Sequence, residues 1–134
     1  MSTVENHELV GSCHCGKVSV RLPESSVGVV ACHCADCQVL HGNFFALLAT
    51  DRDAVRWQGE EHVAWYRSSA ANERGFCTTC GSRIAKRPVE GAKIMLSAGL
   101  FGRALPKTLM KNLWLESKPD WYETPRTGPF SSAT

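Results

Sequence analysis

The chain has no apolar run approaching the roughly 18 residues that a membrane-spanning helix needs. Its opening, Met1 to Leu9, carries Glu5 and Glu8 and no apolar stretch, the opposite of a secretory leader. Charge of one sign is scarce as well: 15 lysines and arginines stand against 13 aspartates and glutamates, a formal net charge of +2. An excess that small does not by itself imply a nucleic-acid or membrane partner. No internal repeat and no low-complexity tract interrupts the 134 residues. These absences predict a cytoplasmic protein of one domain, without nucleic acid or membrane as partner. With 43% hydrophobic and 21% charged residues, that domain should bury a core of its own.

The patterning predicts a mainly β fold. Lys17 to Leu22 alternates with period two and stops at Pro23. Val27 to Cys32, Phe44 to Thr50, His62 to Arg67, Ser82 to Arg87, Ala92 to Ala98 and Lys111 to Glu116 read as further short strands. Only Ala35 to His41 reads as a helix, barely two turns long before Gly42. Residues 1–8 and 124–134 read as flexible ends around a domain spanning 9–123.

What the chain has in quantity is cysteine. Seven are present, an odd number that cannot pair off into disulfides within one chain. They fall into Cys13-His14-Cys15, Cys32-His33-Cys34-Ala35-Asp36-Cys37 and Cys77-Thr78-Thr79-Cys80. One- and two-residue gaps suit chelation of a small cation and suit a mutual disulfide poorly. Four thiolates make a closed zinc site, and three leave a position open. Cys15 and Cys80 are each followed by glycine, Gly16 and Gly81, which tolerates the positive φ of a metal knuckle. The two glycine-backed pairs are therefore assigned together: Cys13, Cys15, Cys77 and Cys80 form one tetrahedral site, joining segments more than sixty residues apart.

The remainder is Cys32, Cys34 and Cys37. If the chain is extended up to Cys34, Cys32 and Cys34 face one way and His33 the other. Cys37, just beyond, completes a three-sulfur face with a vacant fourth position, where an incoming thiol would be held deprotonated. Two other partitions stay open. Cys34-x-x-Cys37 with Cys77-x-x-Cys80 has the form of a zinc ribbon. His41, four residues after Cys37 and on the same helix face, could close the second site as Cys₃His.

These motifs resemble the glutathione-dependent formaldehyde-activating enzyme family, which shares its domain with centromere protein V. The resemblance is carried by Gly11-Ser12-Cys13-His14-Cys15-Gly16-Lys17-Val18, the Cys32 to Cys37 run, Arg74-Gly75-Phe76-Cys77-Thr78-Thr79-Cys80-Gly81-Ser82, and the closing Trp114 to Tyr122. It implies a β-tent fold of small antiparallel sheets stapled by zinc over residues 9–123. It implies two Zn²⁺ per chain, a structural one on Cys13, Cys15, Cys77 and Cys80 and a catalytic one on Cys32, Cys34 and Cys37. It also implies a carbon–sulfur lyase or adduct-forming activity in which glutathione and formaldehyde give S-hydroxymethylglutathione. The family's closing strand often begins with histidine, where Asn112-Leu113 stands here. The basic extension associated with centromere protein V is absent.

A tripeptide thiol brings two carboxylates that need cations or N–H donors. Arg74, Arg83 and Lys86 are candidates by their nearness to the second cysteine pair, although solvated surface charge is the commoner role for such residues. Phe44 and Phe45 could wall the open site, with one of them in the core. The alternative to an enzyme is a zinc-stapled binding module with a filled second site. Seven thiolates and two divalent ions remove three charges from +2, so a loaded protein near −1 matches a phosphate backbone poorly. A redox sensor forming a disulfide within Cys32, Cys34 and Cys37 after loss of a labile ion is a third possibility.

Overall fold

The computed structural model describes residues 7–24, 28–103 and 105–125. Most of both expected flexible ends, residues 1–6 and 126–134, and Val27 at the start of one expected strand, lie outside the described residues. The chain runs through β1 (Glu8–Ser12), β2 (Ser19–Pro23), β3 (Val29–Cys32), α1 (Ala35–His41), β4 (Phe45–Asp51), β5 (Arg56–Gln58), β6 (Val63–Arg67), β7 (Asn72–Cys77), β8 (Arg83–Pro88), β9 (Lys93–Ser97) and β10 (Leu109–Leu113). This is the mainly β architecture of sheets and short connections that the pattern predicts. No helix among the described residues is long and apolar enough to cross a membrane.

Three strands form a small sheet in the order β1-β2-β5, and seven form a larger one in the order β10-β3-β4-β9-β8-β7-β6. Pairings are antiparallel except that of β10 with β3, which is parallel. The parallel pair brings the last strand back beside the cysteine-bearing β3, with Leu113 opposite Cys32.

Strand β4 shows how alternation builds two cores from one element. Ala46 and Leu48 face the main core, with Leu9, Val18, Val20, Leu22, Ile84, Ile94 and Leu96. Phe45 and Leu47 point the opposite way, into a smaller cluster with Cys32, Cys37, Val30, Met95 and Leu113. Cys13 and Cys77 border the main core. Each cysteine cluster therefore sits against its own apolar layer, on opposite sides of one strand.

Three strands escape the sequence pattern: β1, β5 and β7. In β1 the buried positions are Leu9 and Gly11, and glycine hides the alternation. β7 begins Asn-Glu-Arg-Gly, which reads as a turn. Its charges are accommodated across the sheet: Glu73 pairs with Arg87 at 2.8 Å, and the Arg87 guanidinium stacks over the Trp65 ring at 3.5 Å. The last strand is expected at Lys111 to Glu116 and is found at Leu109–Leu113. It ends early because Trp114 turns into the left-handed region, φ 57°, and a short 3₁₀ turn follows over Leu115–Ser117.

Candidate metal centres

The first cluster is assembled by two knuckles. Cys13 ends the β1 hairpin side, and Gly16 follows Cys15 with φ 86° while its N–H donates to Cys13 O at 3.1 Å. The second knuckle repeats the device: Gly81 follows Cys80 with φ 80° and donates to Cys77 O at 2.8 Å. A Cβ at either glycine meets no neighbour, so backbone conformation, not space, is what calls for glycine there. The sulfurs of Cys13, Cys15, Cys77 and Cys80 all lie within 4.8 Å of one another. Cys13 to Cys15 is 3.6 Å and Cys15 to Cys77 is 3.8 Å. A zinc–thiolate tetrahedron with bonds of about 2.3 Å has sulfur–sulfur edges of about 3.8 Å, so this donor set fits zinc. None of the seven cysteines is in a disulfide.

Hydrogen bonds reach the sulfurs from their surroundings. The Val18 N–H donates to Cys13 Sγ at 3.3 Å. Ser82 Oγ lies 3.2 Å from Cys80 Sγ and accepts from the His14 N–H at 3.0 Å, so one hydroxyl ties the two knuckles together. The Ser82 hydroxyl, aided by its own N–H, holds the Cys80 thiol down to about 5 from its ordinary 9.0.

The second cluster is built at a strand-to-helix junction. Cys32 ends β3, Cys34 caps α1, and Cys37 lies buried in its first turn. Cys34 keeps extended backbone, φ −66° and ψ 162°, and its sulfur accepts from the Cys37 N–H at 3.5 Å, the position a serine or aspartate oxygen usually takes at an N-cap. The helix stops at Gly42, φ 88°. The sulfurs of Cys32, Cys34 and Cys37 lie within 4.8 Å of one another. Hydrogen bonding with Cys37 holds the Cys32 thiol down to about 5, while the same contact and burial push Cys37 up. The pair thus divides its protons unequally, and a cation entering the trio displaces them.

His41 is not part of this group. Its ring lies flat on Phe45, with centroids 4.2 Å apart and planes 4° from parallel. Burial, and then the charges of Arg74, Arg83 and Lys86, push its pKa down to about 4. His33 turns away from the sulfurs, as the alternation predicts. It is 1% exposed, its Nε2–H donates to Asn112 Oδ1 at 2.8 Å, and its ring packs beside Phe44 and Tyr122. Gln38 donates to both His33 O at 2.8 Å and Ser117 O at 2.6 Å, which fastens the C-terminal stretch onto α1.

The three basic residues are placed unequally, and one departs from the surface role its type suggests. Arg74 is 4% exposed and reaches not the second cysteine pair but the trio, where Nη1 donates to Cys37 Sγ at 3.7 Å. Its Nε donates to Ser68 Oγ at 3.3 Å. Lys86 is half-buried, and its charge acts on Cys32. Arg83 is exposed, beside the Phe76 ring. Among the described residues none of these three cations is in an ion pair. Phe45 is the buried member of the phenylalanine pair and Phe44 the half-buried one.

Comparison with known proteins agrees with this geometry. A solved structure from Rhodobacter sphaeroides superimposes with a TM-score of 0.57 at 20% identity, over 72% of this chain and 91% of that one, which shows a shared fold. A Schizosaccharomyces pombe protein named as an uncharacterized lyase is 27% identical over 118 residues, covering 87% of this chain and 85% of its own. A Halomonas elongata protein named "Putative glutathione-dependent formaldehyde-activating enzyme" is 31% identical over 125 residues, covering 86% of this chain and 80% of its own. With residues 8–117 also matching the family described as glutathione-dependent formaldehyde-activating enzyme, this chain belongs to that family.

Proposed function

We propose that the chain is a zinc-dependent carbon–sulfur lyase or adduct-forming enzyme, acting on a small thiol such as glutathione and an aldehyde such as formaldehyde. Two Zn²⁺ per chain are assigned: a structural one on Cys13, Cys15, Cys77 and Cys80, and a catalytic one on Cys32, Cys34 and Cys37. The observation that carries the reading is the inequality of the two clusters. One gathers four sulfurs, and the other gathers three, with the nearby imidazole of His41 stacked on Phe45 instead of completing the set. The overall change is addition of the thiol sulfur to the carbonyl carbon, with the thiol proton ending on the oxygen, or the reverse.

Bound zinc supplies Lewis acidity and favours the thiolate of an incoming thiol. The chain's own residues do the remaining work. Phe45 and Leu47 give the trio a dry side, which strengthens each charge interaction there. Arg74 holds a fixed positive charge against Cys37, offsetting the anionic sulfurs. Cys34, as N-cap, locks the trio to the start of α1, so the three sulfurs that would hold the ion keep one arrangement. Holding thiol and aldehyde side by side at the trio would remove much of the entropic barrier to their combination.

The test is zinc content and glutathione binding in the whole chain and two variants. Cys34→Ser is expected to stay folded, keep one of two ions and bind glutathione more weakly. Cys13→Ser is expected to fail to fold, because its site joins β1 to β7. Equal unfolding in both variants, or loss of one ion in His41→Ala, would overturn the reading in favour of a closed second site.

A further inference from the structure

A cleft of about 460 Å³, within the size range of small-molecule sites, is lined by residues that flank the two cysteine clusters and by none of the cysteines themselves. One wall belongs to the four-cysteine knuckles: Ser12 and His14 flank Cys13, and Ser82 and Arg83 follow Cys80-Gly81. The facing wall belongs to the trio: His41 ends α1, and Phe45 stands directly opposite Cys32 in the β3–β4 pairing. Ser97 also lines the cleft.

The chemistry of this lining is one-sided. It contains hydroxyls, imidazoles and the Arg83 guanidinium, and no carboxylate. Arg83 is in no ion pair among the described residues. The charges of Arg74, Arg83 and Lys86 all reach His41 in the wall, so the cleft lies in a positive field. Two of its three hydroxyls have partners in the chain: Ser12 Oγ donates to Cys13 O at 2.9 Å, and Ser82 Oγ lies against Cys80 Sγ. Ser97 Oγ is buried with no hydrogen-bond partner. A guanidinium outside any ion pair, in a cleft lined by no carboxylate, suits a small carboxylate.

We propose that this cleft is a carboxylate subsite, in which Arg83 binds an acidic group of the substrate while its thiol extends towards the trio. The second half of this statement rests on the thiol reading above; the first half does not. In this arrangement the four-cysteine centre has a task besides stapling strands. It fixes the Gly81-Ser82-Arg83 segment, and so sets how far the acidic end of a ligand lies from the open corner. The distance between the two centres then acts as a ruler that favours thiols of one length and charge.

Binding calorimetry on the zinc-loaded chain with three probes tests the subsite separately from the thiol site. S-methylglutathione keeps the carboxylates and has no free thiol; 2-mercaptoethanol keeps the thiol and has no carboxylate; glutathione has both. Wild type is expected to bind S-methylglutathione. Arg83→Gln is expected to weaken S-methylglutathione and glutathione by a common factor of about tenfold, the scale of one charge-assisted hydrogen bond at an exposed site. It should leave 2-mercaptoethanol unchanged, and Arg83→Lys should restore most of the loss. Failure of wild type to bind S-methylglutathione, or an Arg83→Gln variant that binds glutathione as wild type does, overturns the subsite. Glutathione binding no tighter than S-methylglutathione, with 2-mercaptoethanol not bound at all, overturns the thiol reading and leaves the subsite standing.

Discussion

The Arg74 guanidinium, 4% exposed on β7, donates from Nη1 to Cys37 Sγ across 3.7 Å. Three thiolates around a divalent ion carry one net negative charge, and a fourth thiolate makes it two. A permanent, buried cation beside one sulfur offsets part of that charge where little water can do so. Arg74→Gln is therefore expected to lower zinc affinity at the trio by about tenfold or more, a loss on the scale of one charge-assisted hydrogen bond. Occupancy of the four-cysteine site should not change. Arg74→Lys should recover part of the loss, since it keeps the charge and not the fork. Competition with a chelator, counting the two ions separately, measures both effects.

On the other side of the Cys32–Cys34 segment, His33 donates from Nε2 to Asn112 Oδ1 at 2.8 Å, joining β3 to β10 beneath the trio. Asn112 is 2% exposed, so replacing it with leucine leaves the His33 N–H buried without that acceptor. Asn112→Leu is expected to cost about 1–3 kcal/mol in urea-induced unfolding. Replacing both partners, as His33→Leu with Asn112→Leu, should cost less than the sum of the two single changes, because neither half of their hydrogen bond is then left without the other.

The grouping of the cysteines was the most legible part of the sequence, because their spacing and the knuckle glycines are local features. Gly16 and Gly81 hold the positive φ that their positions demanded, and α1 runs over the residues its pattern marked. Long-range placement was not legible. Nothing local announces that a strand beginning Asn72-Glu73-Arg74 lies inside the sheet, since its charges are accommodated in part by Arg87 on β8 and by Cys37 on α1. Arg74 reads as a surface cation for the same reason: its sulfur partner lies thirty-seven residues away in sequence. The parallel return of β10 beside β3 depends on the chain's whole path and has no signature in either strand.

Gly75 sits opposite Trp65 in the β6–β7 pairing, and a Cβ added there would lie 2.8 Å from Val63 Cγ1 and 2.9 Å from the indole. Trp65 cannot easily withdraw, because the Arg87 guanidinium lies 3.5 Å above its ring and is itself held by Glu73. Gly75→Ala is therefore expected to destabilise the domain by about 1–3 kcal/mol through overpacking. The glycine lies between Arg74 and Cys77, so the strain acts on the strand that serves both clusters. In a Val63→Ala, Trp65→Ala background the added methyl has room, and the cost of Gly75→Ala should fall below about 1 kcal/mol, a coupling that chemical denaturation of the four proteins would read directly.

His41 gives the fold a dependence on acid that can be separated from that of the cysteines. Its pKa is about 4 in the folded chain, against 6.5 for an unperturbed histidine, because burial and three neighbouring cations oppose its charging. Above pH 6.5 the imidazole is neutral in both folded and unfolded chains, and its contribution is fully present. As pH falls from 6.5 towards 4, the unfolded chain takes up a proton that the folded chain refuses, so stability declines through that window. Phenylalanine at this position keeps the flat stack on Phe45 and removes the titration. His41→Phe should therefore match wild type near pH 7.5 to within about 1 kcal/mol and exceed it by about 2 kcal/mol at pH 4.5. Protonation of the thiolates, common to both proteins, cancels in the difference. Parallel denaturation curves for the two proteins at every pH would show that the imidazole carries no such penalty.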